Sequence, residues 1–148
     1  MKYFIGIDPD TKKSGYAIWN VETESLQGYG ELAFFELFTL LQDFRRLREN
    51  VTVVISAGWL HKKTNWHNNK QGVNVAARIG ANIGQNHQAG KLIIEMCEFL
   101  KVDYELVKPT NAKMDAKTFA QITGIKKSNQ DVRDSVILIW GKKAVAPF

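Results

Sequence analysis

The sequence contains one cysteine, three prolines and no apolar run long enough to span a bilayer. The single thiol of Cys97 excludes an internal disulfide and a zinc site built from cysteines. Because Cys97 lies in an apolar helical pattern, we expect it to be buried and inert. The apolar N-terminus is shorter than a signal peptide, and Asp8 interrupts it. These absences predict a cytoplasmic protein without a membrane span.

The length and charge of the chain set broad limits on its function. Its 148 residues are enough for one ordinary domain, and we predict a single domain over residues 1–148. No internal repeat is present. Lysine and arginine outnumber aspartate and glutamate by 20 to 15, which gives a formal net charge of +5. This excess is compatible with a polyanionic partner, although many basic proteins bind no nucleic acid.

Hydrophobic periodicity predicts alternating strands and helices. Three β-rich runs over residues 3–7, 15–19 and 26–32 are joined by short turns, which indicates an antiparallel meander. Helical spacing follows over 34–48, and the continuous apolar run over 51–55 is typical of a central buried strand. The remaining predicted elements are a long helix over residues 72–100, a strand over 102–107, a short helix over 117–122 ended by Gly124, and a last helix over 128–142. Apart from the short helix, the order is βββαβαβα, which predicts an α/β fold with a mixed sheet.

Acidic residues stand near both ends of the chain. Asp8 and Asp10 end the first strand, whereas Asp131 and Asp134 are three residues apart and therefore share one face of the last helix. Carboxylates held in this way suit a hard divalent cation such as Mg²⁺. Two such ions about 4 Å apart can activate a water molecule and stabilise the leaving oxygen of a phosphodiester. A turn or a helix dipole explains each acid alone, so only the whole set predicts a site.

Aromatic and basic side chains crowd the loop after the fourth strand. They are Trp59, His61, Lys62, Lys63, Trp66, His67 and Lys70. Cations attract phosphates, and indoles stack on unpaired bases, so this composition favours DNA contact over core packing. Lys108, Lys113 and Arg133 flank the acids in sequence and are also predicted to contact DNA, although a solvated face explains such charges equally well.

The two ends of the sequence resemble RuvC-type Holliday junction resolvases, which belong to the RNase H-like superfamily. Residues 5–10 (Ile-Gly-Ile-Asp-Pro-Asp) and 14–17 (Ser-Gly-Tyr-Ala) resemble the opening strands of that family. Residues 129–135 (Asn-Gln-Asp-Val-Arg-Asp-Ser) resemble its C-terminal helix. The middle, from residues 57–60 through Asn86 and His87 to Glu95, looks like the same group. The resemblance covers nearly the whole chain.

This resemblance implies a fold, an activity and a set of metal ligands. The fold would be a mixed five-stranded sheet with helices on both faces. The activity would be two-metal hydrolysis of four-way (Holliday) or other branched DNA with Mg²⁺ or Mn²⁺. Asp8 would be the central catalytic ligand, and Asp131 and Asp134 would complete the metal site. The protein would act as a homodimer, and close approach at Gly80 and Gly84 would serve either that contact or packing on the sheet.

One residue departs from the pattern of the family. Its fourth acid is a glutamate that ends the strand after the first helix, in a Val-Val-Ile-Glu context, whereas residues 53–56 here are Val-Val-Ile-Ser. The hydroxyl of Ser56 is neutral and replaces a bridging carboxylate poorly. No acid in residues 52–67 stands in for it. We therefore expect DNA binding to be retained and cleavage to be strongly reduced.

Two other functions are compatible with the sequence. The first is a DNA-binding protein on the same fold that has lost cleavage, which Ser56 favours. The second is an actin-like or sugar-kinase-type ATPase, because its first strand also reads Gly-Ile-Asp. That class normally needs two such domains, so the length of 148 residues argues against it.

Overall fold

A computed structural model describes residues 2–60, 73–110 and 112–143 of the chain. Five strands form one sheet: β1 (Lys2–Asp8), β2 (Ser14–Asn20), β3 (Ser25–Leu32), β4 (Asn50–Ser56) and β5 (Asp103–Val107). Four α-helices accompany it: α1 (Phe34–Arg46), α2 (Val73–Leu100), α3 (Ala116–Thr123) and α4 (Gln130–Ile139). A single turn of 3-10 helix, Gly58–Leu60, follows β4. Within the described residues, no helix is both long and apolar enough to cross a membrane.

The sheet is mixed, as predicted. Its strand order is β3-β2-β1-β4-β5. The pairs β1–β2 and β2–β3 are antiparallel, which confirms the meander, and β1–β4 and β4–β5 are parallel. In the β1–β4 ladder Ile7 pairs with Ile55, so Asp8 and Ser56 follow one another on neighbouring strands at the same edge.

Helices cover both faces of the sheet, and the alternation of the strands explains why. Ile5 and Ile7 of β1 face a core with α1 and α2, which includes Cys97. Phe4 of β1 faces a second core with α3 and α4. The continuous apolar run in β4 serves both cores, since Val53 and Val54 point to opposite faces. Cys97 is fully buried, and burial raises the pKa of its thiol to about 12, which confirms the inert thiol.

The helix ends follow local chemistry that the sequence predicts only in part. Gly124 ends α3 as predicted, with a left-handed φ of 78° and an N–H that donates to Ala120. The first helix ends at Arg46 rather than at residue 48, because Arg48 itself has a left-handed φ of 55°. The last helix begins at Gln130, where the Asn129 side chain accepts from the N–H of Val132, and it is shorter than predicted.

Two glycines bring the backbone of α4 against the sheet. A Cβ built on Gly6 of β1 would collide with the carbonyl oxygen of Ser135, and one on Gly15 of β2 would collide with the carbonyl oxygen of Asp131. No side chain larger than hydrogen fits at either position while α4 stays where it is. At the far end of the helix, the indole N–H of Trp19 donates to the carbonyl of Lys142 at 3.0 Å. These contacts place the first turn of α4 over the end of β1.

We predict that Gly15→Ala lowers the free energy of unfolding by about 1–3 kcal/mol, because the added methyl group must push α4 away from β2. Gly28→Ala is the matched control, since a Cβ there meets only ordinary contacts of 3.4 Å or more. Urea denaturation of both variants measures the difference. Equal stability of the two variants would show that the close approach of α4 does not constrain the fold.

Candidate active site

Asp8 and Asp131 meet at the end of β1. Their side chains lie within hydrogen-bonding reach of each other, and this interaction favours the protonated form of Asp8 and the charged form of Asp131. The pKa of Asp8 is raised from its ordinary 3.8 to about 7, mainly by burial and then by the negative charges of Asp134 and Asp131, whereas Lys113 opposes the shift. A buried carboxyl group beside other carboxylates is an arrangement that a cation would stabilise.

Further acids surround Asp131. Burial raises the pKa of its carboxyl group, and the charges of Asp10, Glu31 and Asp134 act in the same direction. Glu31 reaches this place because of strand register: it pairs with Gly15, which in turn pairs with Asp8 across the sheet. The carboxylate of Glu31 also accepts a hydrogen bond from the side chain of Asn129 at 2.6 Å. The sequence analysis missed Glu31, although the register of the first hairpins contains the signal.

Asp134 is held from both sides by the protein itself. One carboxylate oxygen lies 3.0 Å from Nζ of Lys113, and the other accepts from the side-chain amide of Gln130 at 2.7 Å. As placed, the described residues contain no group of three or more histidine, cysteine, aspartate or glutamate side chains arranged to hold a metal ion. The three predicted ligands are therefore neighbours, but only Asp8 and Asp131 touch.

The donor set nevertheless fits a hard divalent cation. Mg²⁺ is commonly bound through one or two carboxylates together with water and substrate phosphates. Asp8 and Asp131 supply two carboxyl groups in contact at an open strand end, and a cation between them would displace their shared proton. Asp134 lies beside this pair, with one carboxylate oxygen 3.0 Å from Nζ of Lys113.

A cleft of about 190 Å³ opens beside the acids. The residues that line it include Asp8, Ser56, Lys113, Trp59 and His87. Ser56 therefore lies near Asp8, at the position where the family resemblance leads us to expect a glutamate. The cleft therefore holds the Ser56 hydroxyl, the Lys113 ammonium group, the His87 imidazole and the Trp59 indole close to the carboxyl group of Asp8.

Trp59 forms a fixed wall of this cleft. Its ring packs where a Cβ on Gly90 of α2 would collide with it, and it lies edge-on to His87 with ring centroids 6.1 Å apart. Gly90 thus has a packing role. The indole of Trp59 is only partly buried, so core packing and cleft lining both describe it. His87 belongs to the middle segment that resembles the family, although no role was predicted for it; burial and Lys91 lower the pKa of its imidazole.

The predicted DNA-contacting residues fall into three groups. Lys62, Lys63, Trp66 and Lys70 lie outside the described residues, as do His61 and His67. Lys108 is exposed close to the cleft, and Lys113 lies inside it. Arg133 donates from its guanidinium to Met114, to Ser128 and to Gln130, and its contact with DNA stays a prediction. These hydrogen bonds hold the segment before α3 against the start of α4.

Gly84 of the long helix does not meet the expectation of packing on the sheet. Among the described residues, no atom lies within 4 Å of a Cβ built on it. The surroundings of Gly80 lie outside what the structure describes.

Two solved structures of RuvC from Thermus thermophilus are similar to this chain. RuvC alone aligns with a TM-score of 0.54 and 13% identity over 92% of this chain and 90% of RuvC. RuvC in complex with a Holliday junction substrate gives a TM-score of 0.56 and 14% identity over 93% of this chain and 90% of RuvC. The chain therefore has an RNase H-like fold of the RuvC type, as predicted. No protein-family model matches the chain, and no curated protein matches it in sequence.

We predict that Asp8→Asn stabilises the metal-free protein at neutral and higher pH. Because the pKa of Asp8 is raised to about 7 in the folded chain, stability from this group is present below about pH 4 and is lost as pH rises towards 7. Asparagine keeps the size and removes the charge. At about 1.4 kcal/mol per pKa unit, the gain reaches up to about 4 kcal/mol near pH 8 and vanishes near pH 4.

Thermal unfolding in the presence of a chelator, measured across this pH range, checks the prediction. Asp43→Asn on the exposed side of α1 is the control and should leave the pH profile unchanged. A constant difference between Asp8→Asn and the wild type at all pH values would contradict the assignment of the shift to Asp8.

Proposed function

We propose that this protein binds four-way or other branched DNA and hydrolyses it weakly with Mg²⁺ or Mn²⁺, as a nuclease of the RuvC type. The observation that carries the proposal is the contact between Asp8, on the first strand, and Asp131, on the last helix, at an open edge of an RNase H-like sheet. The similar RuvC of Thermus thermophilus, at 14% identity, was solved with a Holliday junction substrate, which supports DNA of this shape as the ligand.

In the proposed reaction, different residues of the chain bind the cation and the DNA. Asp8 and Asp131 would hold the cation, and Asp134 would add negative charge beside them. When bound, the cation would activate a water molecule and stabilise the leaving oxygen of the phosphodiester. Lys113 and the exposed Lys108 would attract the phosphate, and Trp59 would offer an aromatic surface at the cleft wall.

Weak cleavage follows from the composition of the cleft. Ser56 supplies no charge beside Asp8, and Lys113 occupies one oxygen of Asp134. Both features lower the negative charge that would hold divalent ions. They also favour a second candidate function, a branched-DNA-binding protein on the same fold that does not cleave.

Three further expectations stay predictions. The lysines and the tryptophan at 62, 63, 66 and 70 would extend the DNA surface beyond the cleft. A homodimer would match the approximate two-fold symmetry of a four-way junction. The cell compartment is predicted to be the cytoplasm.

A binding and cleavage assay tests the proposal. Four-way junction, duplex and single-stranded DNA are each incubated with the protein in EDTA, Mg²⁺ or Mn²⁺. We expect junction binding in EDTA that exceeds duplex binding, and slow junction cleavage that requires the metal and is abolished by Asp131→Asn. Asp103→Asn, at the opposite end of the sheet, is the control. Binding without cleavage even at high Mn²⁺ would establish the second candidate, whereas binding of ATP in place of DNA would support the ATPase alternative.

We predict that Ser56→Glu increases junction cleavage by about tenfold or more, because the added carboxylate lies beside Asp8 and strengthens metal binding. Ser56→Gln adds the same bulk without charge and should give no gain. Single-turnover cleavage of a labelled junction measures the three rates. Equal rates for the wild type and Ser56→Glu would count against the view that Ser56 limits cleavage.

A further inference from the structure

A second groove opens at the edge of the sheet that carries the acids. Strand register brings its walls there, because Asp8 of β1 pairs with Gly15 of β2, and Ser14 pairs with Leu32 just before α1 begins. The groove has a volume of about 270 Å³ and lies between the β1–β2 turn, the first turn of α1 and the middle of α2. None of the residues that line it lines the cleft that holds Ser56.

The chemistry of this groove suits a flat ring with a polar edge. Phe34, Ala89 and Leu92 give it apolar walls, and Gln85 and Gln88 of α2 line it as well. A primary amide offers both a donor and an acceptor, which is how glutamine hydrogen-bonds the edges of bases. The volume lies below the range of about 300–1,000 Å³ that is typical of pockets for drug-sized ligands, so the groove fits one small ring system.

An exposed aromatic pair extends the groove. Phe35 is 78% exposed and lies edge-on to Phe34, with ring centroids 5.5 Å apart. The fully buried Leu37 and Leu41 form the core-facing side of α1, so the core does not require an aromatic side chain at position 35. Large apolar side chains are usually buried, whereas exposed aromatic rings are the surfaces on which proteins stack unpaired bases.

Positive charge stands around the groove. Lys12 and Lys13 are exposed in the β1–β2 turn next to Thr11, and Lys91 is exposed on α2, three residues after Gln88. These ammonium groups would attract the phosphates of a strand whose base enters the groove. A second copy of this chain, with its net charge of +5, would meet charges of its own sign there. The charge therefore favours DNA as the occupant.

The acids near the groove are engaged within the protein. The carboxylate of Asp10, which lines the groove, accepts from the hydroxyl of Thr11 at 3.3 Å and from the N–H of Lys12 at 3.4 Å. The carboxylate of Glu36 accepts from the N–H of Ala33 at 2.9 Å at the start of α1. These hydrogen bonds offset part of the negative charge, so both acids oppose an anionic strand less than free carboxylates would.

We propose that this groove binds one unpaired nucleobase of branched DNA on the aromatic pair of Phe34 and Phe35. This inference rests on the proposed function, because it adds a second contact with the same substrate. Bases within a duplex are stacked and paired, whereas a base that is already unpaired can enter a pocket at little cost. The groove would therefore contribute to a preference for branched over duplex DNA.

Binding measured in EDTA tests the proposal without relying on cleavage. The full chain is titrated into a labelled four-way junction and a labelled duplex, and fluorescence anisotropy gives both affinities. We expect Phe35→Ala to lower the affinity for the junction on the order of tenfold, because a stacking surface is lost, and to change the affinity for the duplex by less than about twofold. Phe35→Trp keeps the aromatic surface and should bind like the wild type.

Phe99→Ala is the matched control, because Phe99 is 76% exposed near the end of α2, and it should leave both affinities unchanged. Photo-cross-linking locates the base. Junctions that carry iodouracil at the branch point are irradiated with the wild-type protein, and the adduct is mapped by mass spectrometry. We expect an adduct on Phe34 or Phe35, which a purely structural role of Phe35 would not produce.

Three results would overturn the inference: junction binding by Phe35→Ala that equals that of Phe99→Ala, an equal loss of affinity for junction and duplex, or adducts confined to other residues. A change from dimer to monomer in Phe35→Ala, measured by light scattering, would also overturn it, because the pair would then contact a second copy. The proposed function would stand if junction binding and metal-dependent cleavage persist. Absence of DNA binding by the wild type would overturn the proposed function as well. Circular dichroism confirms that each variant is folded.

Discussion

The contact between Asp8 and Asp131 joins the first strand of the chain to its last helix, and the candidate site depends on it. Electrostatics alone would keep two carboxyl groups apart. They meet because Gly6 and Gly15 allow the backbone of α4 to lie directly on β1 and β2, and because the Trp19 indole holds the chain after α4. Packing therefore brings the like charges together, and burial is the main cause that raises the pKa of Asp8 to about 7.

The second constraint is the balance of charge around this pair. Lys113 neutralises part of Asp134, and the edge of β4 contributes only the hydroxyl of Ser56. The site thus has a lower negative charge than a set of four carboxylates. Lys113 can also attract a phosphate. The features that weaken metal binding therefore need not weaken the affinity for DNA. This is the physical basis for treating DNA binding and DNA cleavage as separable properties of this chain.

The sequence predicts the fold more completely than the site. The continuous run of apolar residues in β4 and the glycine at 124 act locally, so their structural consequences can be predicted from neighbouring residues. The meeting of Asp8 with Asp131 follows from the order of elements and from the family resemblance. The ion pair of Lys113 with Asp134 joins side chains that are 21 residues apart in the sequence. Because Lys113 lies in a non-periodic segment, no local sequence pattern predicts this pair.

The wall of the cleft also depends on a contact that the sequence does not predict. Trp59 rests on Gly90, and this pairing explains a glycine whose cost in a helix is otherwise unaccounted for. Neither residue indicates the other in the sequence, because one follows a strand and the other lies in the middle of a long helix. Likewise, Arg133 has the sequence context of a phosphate contact, but its hydrogen bonds hold Met114 and Ser128.

The most direct test of this account is a crystal structure of the protein soaked with Mn²⁺, with anomalous data collected at the manganese edge. The account predicts an anomalous peak in contact with the carboxylates of Asp8 and Asp131. A structure in which α4 holds Asp131 away from Asp8, or in which manganese binds elsewhere and leaves this pair empty, would contradict it.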